Sequence, residues 1–219
     1  MKTSMTNKNQ FKKFIIDNDH PCIMSQTVFG SENYRINTYS NFGSENTALE
    51  ILTDIKSYLE SYDFSTNQFF SFIAIFENCS NYTELEFESL LWKQLQKIHE
   101  ADDVDWDKTV SNDPTNKSFS FSISGIAFYV IGMHPNSSRG ARKSPKPSLI
   151  FNLHWQFERL REMGVYNRIR DTIRKRDLQN NGSTNPMLVD FGNKSEAPQY
   201  SGRVVDNGWE CPFKHKMDK

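Results

Sequence analysis

The chain of 219 residues carries 26 Lys and Arg against 27 Asp and Glu, a formal net charge of −1. That balance argues against the broad basic footprint of a nucleic-acid-binding domain, and the length fits one domain that can bury its core without staples. Aromatic residues make up 13% of the sequence, seventeen of them Phe, so the core is expected to be rich in aromatic rings.

Residues 1–10 are polar and read as a disordered tail, with a short helix over Phe11–Asp17. The opening stretch has neither an apolar h-region nor a cleavage site, and no run approaches the eighteen or more apolar residues of a membrane span. Cys22–Phe29 and Tyr34–Tyr39 read as short strands around the turn-like Gly30–Asn33. Thr47–Tyr62 places Ala48, Ile51, Leu52, Ile55, Tyr58, Leu59 and Tyr62 at steps of three and four, which predicts an amphipathic helix. Gln68–Phe76 is short, apolar and rich in Phe and Ile, as expected of a buried strand. Thr83 followed by Glu86 is a capping-box start for a helix to about Ala101.

Phe119–Ile123 and Ile126–Met133 flank Ser124-Gly125, a hairpin turn signal. After the polar loop Asn136–Lys146, Ser148–Phe151 is a second apolar run leading into a helix near Trp155. Val165–Asp177 reads as a basic helix with a solvated charged face; the remainder is irregular. Helices interspersed with strands, including a hairpin, predict a single α+β (mixed α/β) domain over residues 11–213 with a partly antiparallel sheet. Residues 214–219 read as a C-terminal tail. The three cysteines, Cys22, Cys79 and Cys211, lie far apart without CxxC spacing, which suits a reducing compartment. The expectation is a cytoplasmic protein with no nucleic-acid or membrane partner; a homodimer is left open.

The stretch Gly132–Arg161 combines two of the five histidines, six basic residues and three prolines. His134 stands at the end of an apolar strand and before Pro135, and strand ends that open into loops are where scaffolds commonly place functional groups.

The HP-x-SSR-x-AR stretch (His134 to Arg142) and the FNLH-x-QFE-x-LR stretch (Phe151 to Arg161) resemble the YqcI/YcgG family. So do NPML (Asn185–Leu188), FG-x-x-SEA-x-QYSGR (Phe191–Arg203), W-x-CPF (Trp209–Phe213), HPC (His20–Cys22), LWKQLQ-x-x-HE (Leu91–Glu100) and WD…VS-x-DP (Trp106–Pro114). The resemblance is ordered and covers most of residues 20–213. It implies a haem-dependent N-oxygenase acting on a guanidino or amine nitrogen of arginine or a related amino acid, in natural-product pathways. The cofactor would be non-covalent haem b, since the CxxCH of attached haem is absent.

Under that implication the iron ligand is sought among His and Cys. His134 is the first choice for the metal, with His154 and Cys22 as alternatives; His20 is a further candidate and His99, His215, Cys79 and Cys211 are less plausible ones, His99 and His215 reading as structural and Cys79 as a loop residue. Arg139, Arg142 and Arg203 are candidates for the haem propionates, because guanidinium forks match carboxylates. Glu158 and Glu196 are the acids expected to receive a cationic substrate, and Trp155, Tyr200 and Trp209 the rings expected to stack on macrocycle or substrate. No GxGxxG or other nucleotide motif is present, so electrons would come from an external reductase, or peroxide would replace dioxygen. The competing readings are a non-catalytic haem sensor or carrier, and a cofactor-free binding protein.

Overall fold

The computed structural model describes residues 2–66, 68–77, 81–187 and 190–216. Helix α1 (Lys2–Lys12) runs into a π-helical turn (Lys13–Asp17) and then α2 (Ile23–Gly30). Strand β1 (Tyr34–Tyr39), helix α3 (Glu45–Ser61) and strand β2 (Ser71–Phe76) form a βαβ unit, with β1 and β2 parallel. Helix α4 (Glu84–Ala101), strands β3 (Phe121–Ile123), β4 (Ile126–Met133) and β5 (Ser148–Leu153), and helices α5 (His154–Glu162) and α6 (Tyr166–Asn181) follow. The five strands lie in the order β1-β2-β5-β4-β3, and every pairing except β1–β2 is antiparallel. The chain is a single α+β domain with a mixed, partly antiparallel sheet.

Both faces of the sheet are covered, and the two-residue period of the strands divides them. Phe72, Ala74 and Phe76 of β2, Phe128 and Val130 of β4, and Leu149, Phe151 and Leu153 of β5 join α3 and α4 in the larger core. Ile73, Ile75, Met133 and Ile150 point the other way and pack with Phe11, Phe14 and Ile15 from the N-terminal segment and Val28 and Phe29 from α2. Helices α5 and α6 complete that second layer.

Local rules account for much of this. Thr83 and Glu86 make the expected reciprocal capping box at the start of α4. Ser124 and Gly125 both adopt positive φ, 53° and 74°, as the tight turn joining β3 to β4 demands. Gly132 sits where an added Cβ would lie 2.6 Å from Leu91, 2.8 Å from Phe87 and 2.8 Å from the Tyr200 carbonyl, so only glycine lets α4 and the C-terminal segment close on β4.

Two expectations are corrected. Residues 2–12 are helical where a disordered tail was expected: the buried Asn7 amide donates to Thr38 Oγ1 (3.2 Å) and Glu77 Oε1 (3.1 Å), and Phe11 is buried, so tertiary anchors override a polar composition. Cys22–Phe29, read as a strand, is the entry and body of α2. A short apolar run is ambiguous between the two states; here Ser25 Oγ and Thr27 Oγ1 donate back to the Cys22 and Ile23 carbonyls along the helix. Among the described residues no helix is long and apolar enough to cross a membrane.

Candidate functional site

A cavity of about 290 Å³ lies between the second face of the sheet and the layer of α1, α2, α5 and α6. Its floor alternates along the strands: Ile73 from β2, Tyr129, Ile131 and Met133 from β4, and Ile150 and Asn152 from β5. Phe11 and Ile15 cover it from the N-terminal segment, and Phe157, Ile169 and Ile173 wall it from α5 and α6. The half-exposed Arg161, Arg170, Arg174 and Asp190 mark where this apolar space meets solvent.

Six of the residues proposed from sequence reach the cavity: His20, Cys22, Arg139, Arg142, His154 and Glu196. His154 continues the alternation of β5 two residues past Asn152, on to the cavity side at the start of α5. It is buried, meets Phe191 edge to face at 4.4 Å, and has no hydrogen-bond partner among the described residues. Its nearest acid is Glu158, 4.0 Å from Nε2. Burial, reinforced by the nearby Arg161 charge, pushes its pKa down to about 4, so the ring is neutral at physiological pH.

His20 also lines the cavity, but both ring nitrogens are engaged. Nε2 donates to the Ala141 carbonyl at 2.9 Å, and Nδ1 accepts from the Cys22 N–H at 3.2 Å. It therefore holds the His-Pro-Cys turn against the Arg139–Arg142 segment. The Cys22 side chain lies at the cavity wall, partly exposed.

The two loop arginines have separate fates. Arg139 makes a buried ion pair with Asp177 at 2.6 Å and donates to the Ser183 carbonyl. The Arg142 guanidinium is buried and donates to the carbonyls of Gly132, Tyr200 and Gln199, with no carboxylate in an ion pair with it among the described residues; burial lowers its pKa. Glu196 is buried at the cavity wall, and both its donors, Ser120 Oγ (2.9 Å) and Tyr200 Oη (2.6 Å), go to Oε1. Burial pushes its carboxyl up to about 8 against those hydrogen bonds, so it is largely protonated at neutral pH.

Five others lie elsewhere. His134, the first choice for the metal, sits on the opposite face: it follows Phe128, Val130 and Gly132 in the alternation of β4, stacks on Phe87 of α4 at 4.4 Å, and is 1% exposed. Its backbone N–H donates to the Arg142 carbonyl, and its Nδ1 is buried with no hydrogen-bond partner among the described residues, so it sits in the core outside the cavity. Arg203 pairs with Glu88 of α4 at 2.7 and 3.1 Å, away from the cavity, and Glu88 also accepts from Trp209 Nε1 and Ser201 Oγ. Glu158 is half exposed and paired with Arg161. Trp155 packs against Tyr62 and Phe64. Tyr200 lies behind Glu196, stacked on Trp92. His99 and Cys211 are buried, and His99 packs against His215; Cys79 falls outside the described residues.

Sequence reasoning missed Tyr129, Asp177 and Asp190. The face of α6 read as solvated is divided: Ile169 and Ile173, four residues apart, enter the cavity wall, while Arg170 and Arg174 converge on Asp190 at 2.7 and 3.2 Å. The apolar i,i+4 pair was the available signal. Among the described residues no group of three or more His, Cys, Asp or Glu converges as a metal centre.

The YqcI/YcgG family model matches residues 11–214, and the chain belongs to that family. It is similar to the uncharacterized protein YqcI of Bacillus subtilis (strain 168), 28% identical over 90% of this chain and 81% of the relative. It is also similar to the uncharacterized protein YcgG of the same organism, 23% identical over 89% of this chain and 81% of the relative. No solved structure matches.

Proposed function

We propose that this member of the YqcI/YcgG family is a haem-dependent N-oxygenase that hydroxylates a guanidino or amine nitrogen of arginine or a related amino acid. The observation that carries the reading is His154, a buried, neutral imidazole without a hydrogen-bond partner among the described residues, at the wall of an apolar cavity. Neutral imidazole is the form that ligates iron.

The residues fit the group. A porphyrin brings its own four nitrogen donors, so one protein ligand suffices and a converging set of acids and histidines is not required. The apolar floor suits a macrocycle. The half-exposed Arg161 and Arg170 stand at the solvent side where the propionates would lie; they would exchange Glu158 and Asp190 for them, whereas Arg139 is held in a buried pair with Asp177 and Arg203 pairs with Glu88 away from the cavity. His154 would hold the iron, with Glu158 placed to orient the ring; Cys22, on the same wall, is the alternative ligand. Bound haem would activate dioxygen or peroxide and supply the oxygen atom.

The chain's own residues do the rest. Ile131, Met133, Ile150 and Phe157 exclude water. Glu196 holds a proton inside the cavity and, on ionising, offers a carboxylate to a substrate cation whose entry replaces that proton. Its Tyr200 and Ser120 donors fix the carboxyl and leave Oε2 without a donor among the described residues.

The test is a visible spectrum of the protein reconstituted with haem, followed by arginine, homoarginine and simple amines as additions. The expected result is a Soret band lost or strongly shifted in His154→Ala and unchanged in His134→Ala, with gain of one oxygen atom on a guanidine in the presence of a reductant and oxygen, or of peroxide. Free-haem absorbance alone would overturn the reading. A Soret band that no guanidine or amine perturbs would assign the chain as a haem sensor or carrier.

A further inference from the structure

A line of four oxidisable rings runs from the cavity wall through the sheet. Tyr129, on the cavity side of β4, meets Tyr200 edge to face with centroids 6.2 Å apart. Tyr200 stacks on Trp92 of α4 at 5.4 Å and an interplanar angle of 16°. Trp92 meets Trp209 at 6.2 Å, and Trp209 is partly exposed. Phe fills most of this protein's aromatic positions, yet the line is Tyr and Trp throughout, the side chains that yield one electron most readily.

Trp92 is the informative member. It is 2% exposed and its Nε1–H is buried with no hydrogen-bond partner among the described residues. An unpaired buried donor is unfavourable, and a phenyl ring there would avoid it. Trp106 and Trp155 also bury an Nε1–H without a partner among the described residues, so what sets Trp92 apart is its place in the line, stacked on Tyr200 and in reach of Trp209. A second observation concerns the cavity, where Cys22, Met24 and Met133 line the wall. Thiol and thioether are the side chains an uncoupled oxidant damages.

We propose that Tyr129, Tyr200, Trp92 and Trp209 form a one-electron conduit that carries oxidising equivalents out of the cavity to the surface. The inference rests on the oxidative reading of the cavity. In each event Tyr129 passes one electron and its phenol proton to a peroxide- or oxygen-derived oxidant. An electron relayed through Tyr200 and Trp92 restores Tyr129, and a solvent proton re-forms its phenol. Above about pH 8, where Glu196 is ionised, its Oε1 at 2.6 Å takes the Tyr200 proton during that oxidation and hands it back on reduction. The electron originates at Trp209, whose Nε1–H proton passes to Glu88 Oε1 at 2.7 Å, leaving a neutral tryptophanyl radical. A soluble one-electron donor such as ascorbate then reduces that radical, and Glu88 returns the proton.

The experiment starts without haem. A ruthenium polypyridyl photo-oxidant is attached to Cys22 of the full chain carrying Cys79→Ser; Cys211 is buried and its thiol is pushed up to about 12, so it does not compete. After a flash in the presence of an electron-accepting quencher, transient absorption should show a tryptophanyl radical, and peptide mass spectrometry should place the trapped oxidation at Trp209. Trp92→Phe, checked for its fold by near-ultraviolet circular dichroism, should lose both signals. Trp209→Phe, at the partly exposed end, should strand the tryptophanyl signal at buried Trp92 and lose the oxidation product at the surface, a readout that stands even if Trp92→Phe does not fold. No oxidation at Trp209 in the labelled parent, or an undiminished yield in folded Trp92→Phe, would overturn the conduit. Peroxide added to haem-loaded protein, read by electron paramagnetic resonance, gives the second arm. A conduit seen with the photo-oxidant and absent there would count against the haem reading alone.

Discussion

Two ionisable side chains in the cavity wall are held uncharged by burial, and their effects on stability have opposite signs. His154, pushed down to about 4, is neutral when folded. Its contribution is fully present above the pKa near 6.5 of the unfolded chain and is lost as pH falls through about 4. Glu196, pushed up to about 8, is neutral when folded. Its contribution is fully present below the unfolded pKa near 4.5 and is lost as pH rises through 8. Between pH 5 and 8 the alkaline loss should therefore belong to Glu196, on the order of 3 kcal/mol at one unit pKa shift per ~1.4 kcal/mol. Glu196→Gln keeps the shape and the Oε1 acceptor, so urea midpoints taken across this range should flatten in the variant. An equal alkaline decline in both proteins would place the titration elsewhere. The same two residues show what was legible. Both stood out in the sequence, but the face of the sheet that His134 and His154 take follows from the strand period, which local context does not reveal. Counting from Val130 sends His134 to the α4 face, and counting from Ile150 sends His154 to the cavity.

At the scale of elements, the legible parts were those with strong periodicity or a turn signal: α3, α4 with its capping box, the β3–β4 hairpin, and β5. The illegible ones draw their structure from distant contacts. Helix α1 owes its place to Asn7, which reaches Thr38 of β1 and Glu77 just past β2, and α2 to side-chain hydrogen bonds and a buried Val28-Phe29 pair. Gly132 belongs to this scale because it sets the distance between three elements. Its N–H donates to the Tyr200 carbonyl at 2.7 Å, and the same carbonyl would lie 2.8 Å from an added Cβ. Leu91 can turn away, but the backbone carbonyl cannot. Gly132→Ala should therefore destabilise by about 1–3 kcal/mol, as overpacking of a filled core does, read as a lower urea midpoint with an unchanged slope. A midpoint equal to that of the parent would show that the C-terminal segment moves freely over β4.

In the whole molecule the sheet separates two unequal layers. The α3–α4 side presents fully buried Ala48, Ile51, Ile55, Phe87, Leu91, Leu95 and Ile98 to a continuous aromatic core. The opposite layer is built from α1, α2, α5 and α6 around open space; among the described side chains of α6 only Asp177 is buried, and its partner is Arg139. Fewer buried apolar contacts and more solvent-exposed helix mean lower local opening energies. Amide hydrogen exchange in the native state should thus separate the layers. Central strands β2 and β5 and helix α4 should exchange only through global unfolding, while α1, α2 and α6 exchange earlier, through openings that leave the other side folded. A ligand that fills the cavity should slow α1, α2 and α6 selectively, because it adds contacts to the layer that lacks them and stabilises the closed form by mass action. Uniform protection across both layers would mean that the cavity side is as cooperative as the core. A ligand that protected α3 and α4 instead would place its site on the other face of the sheet.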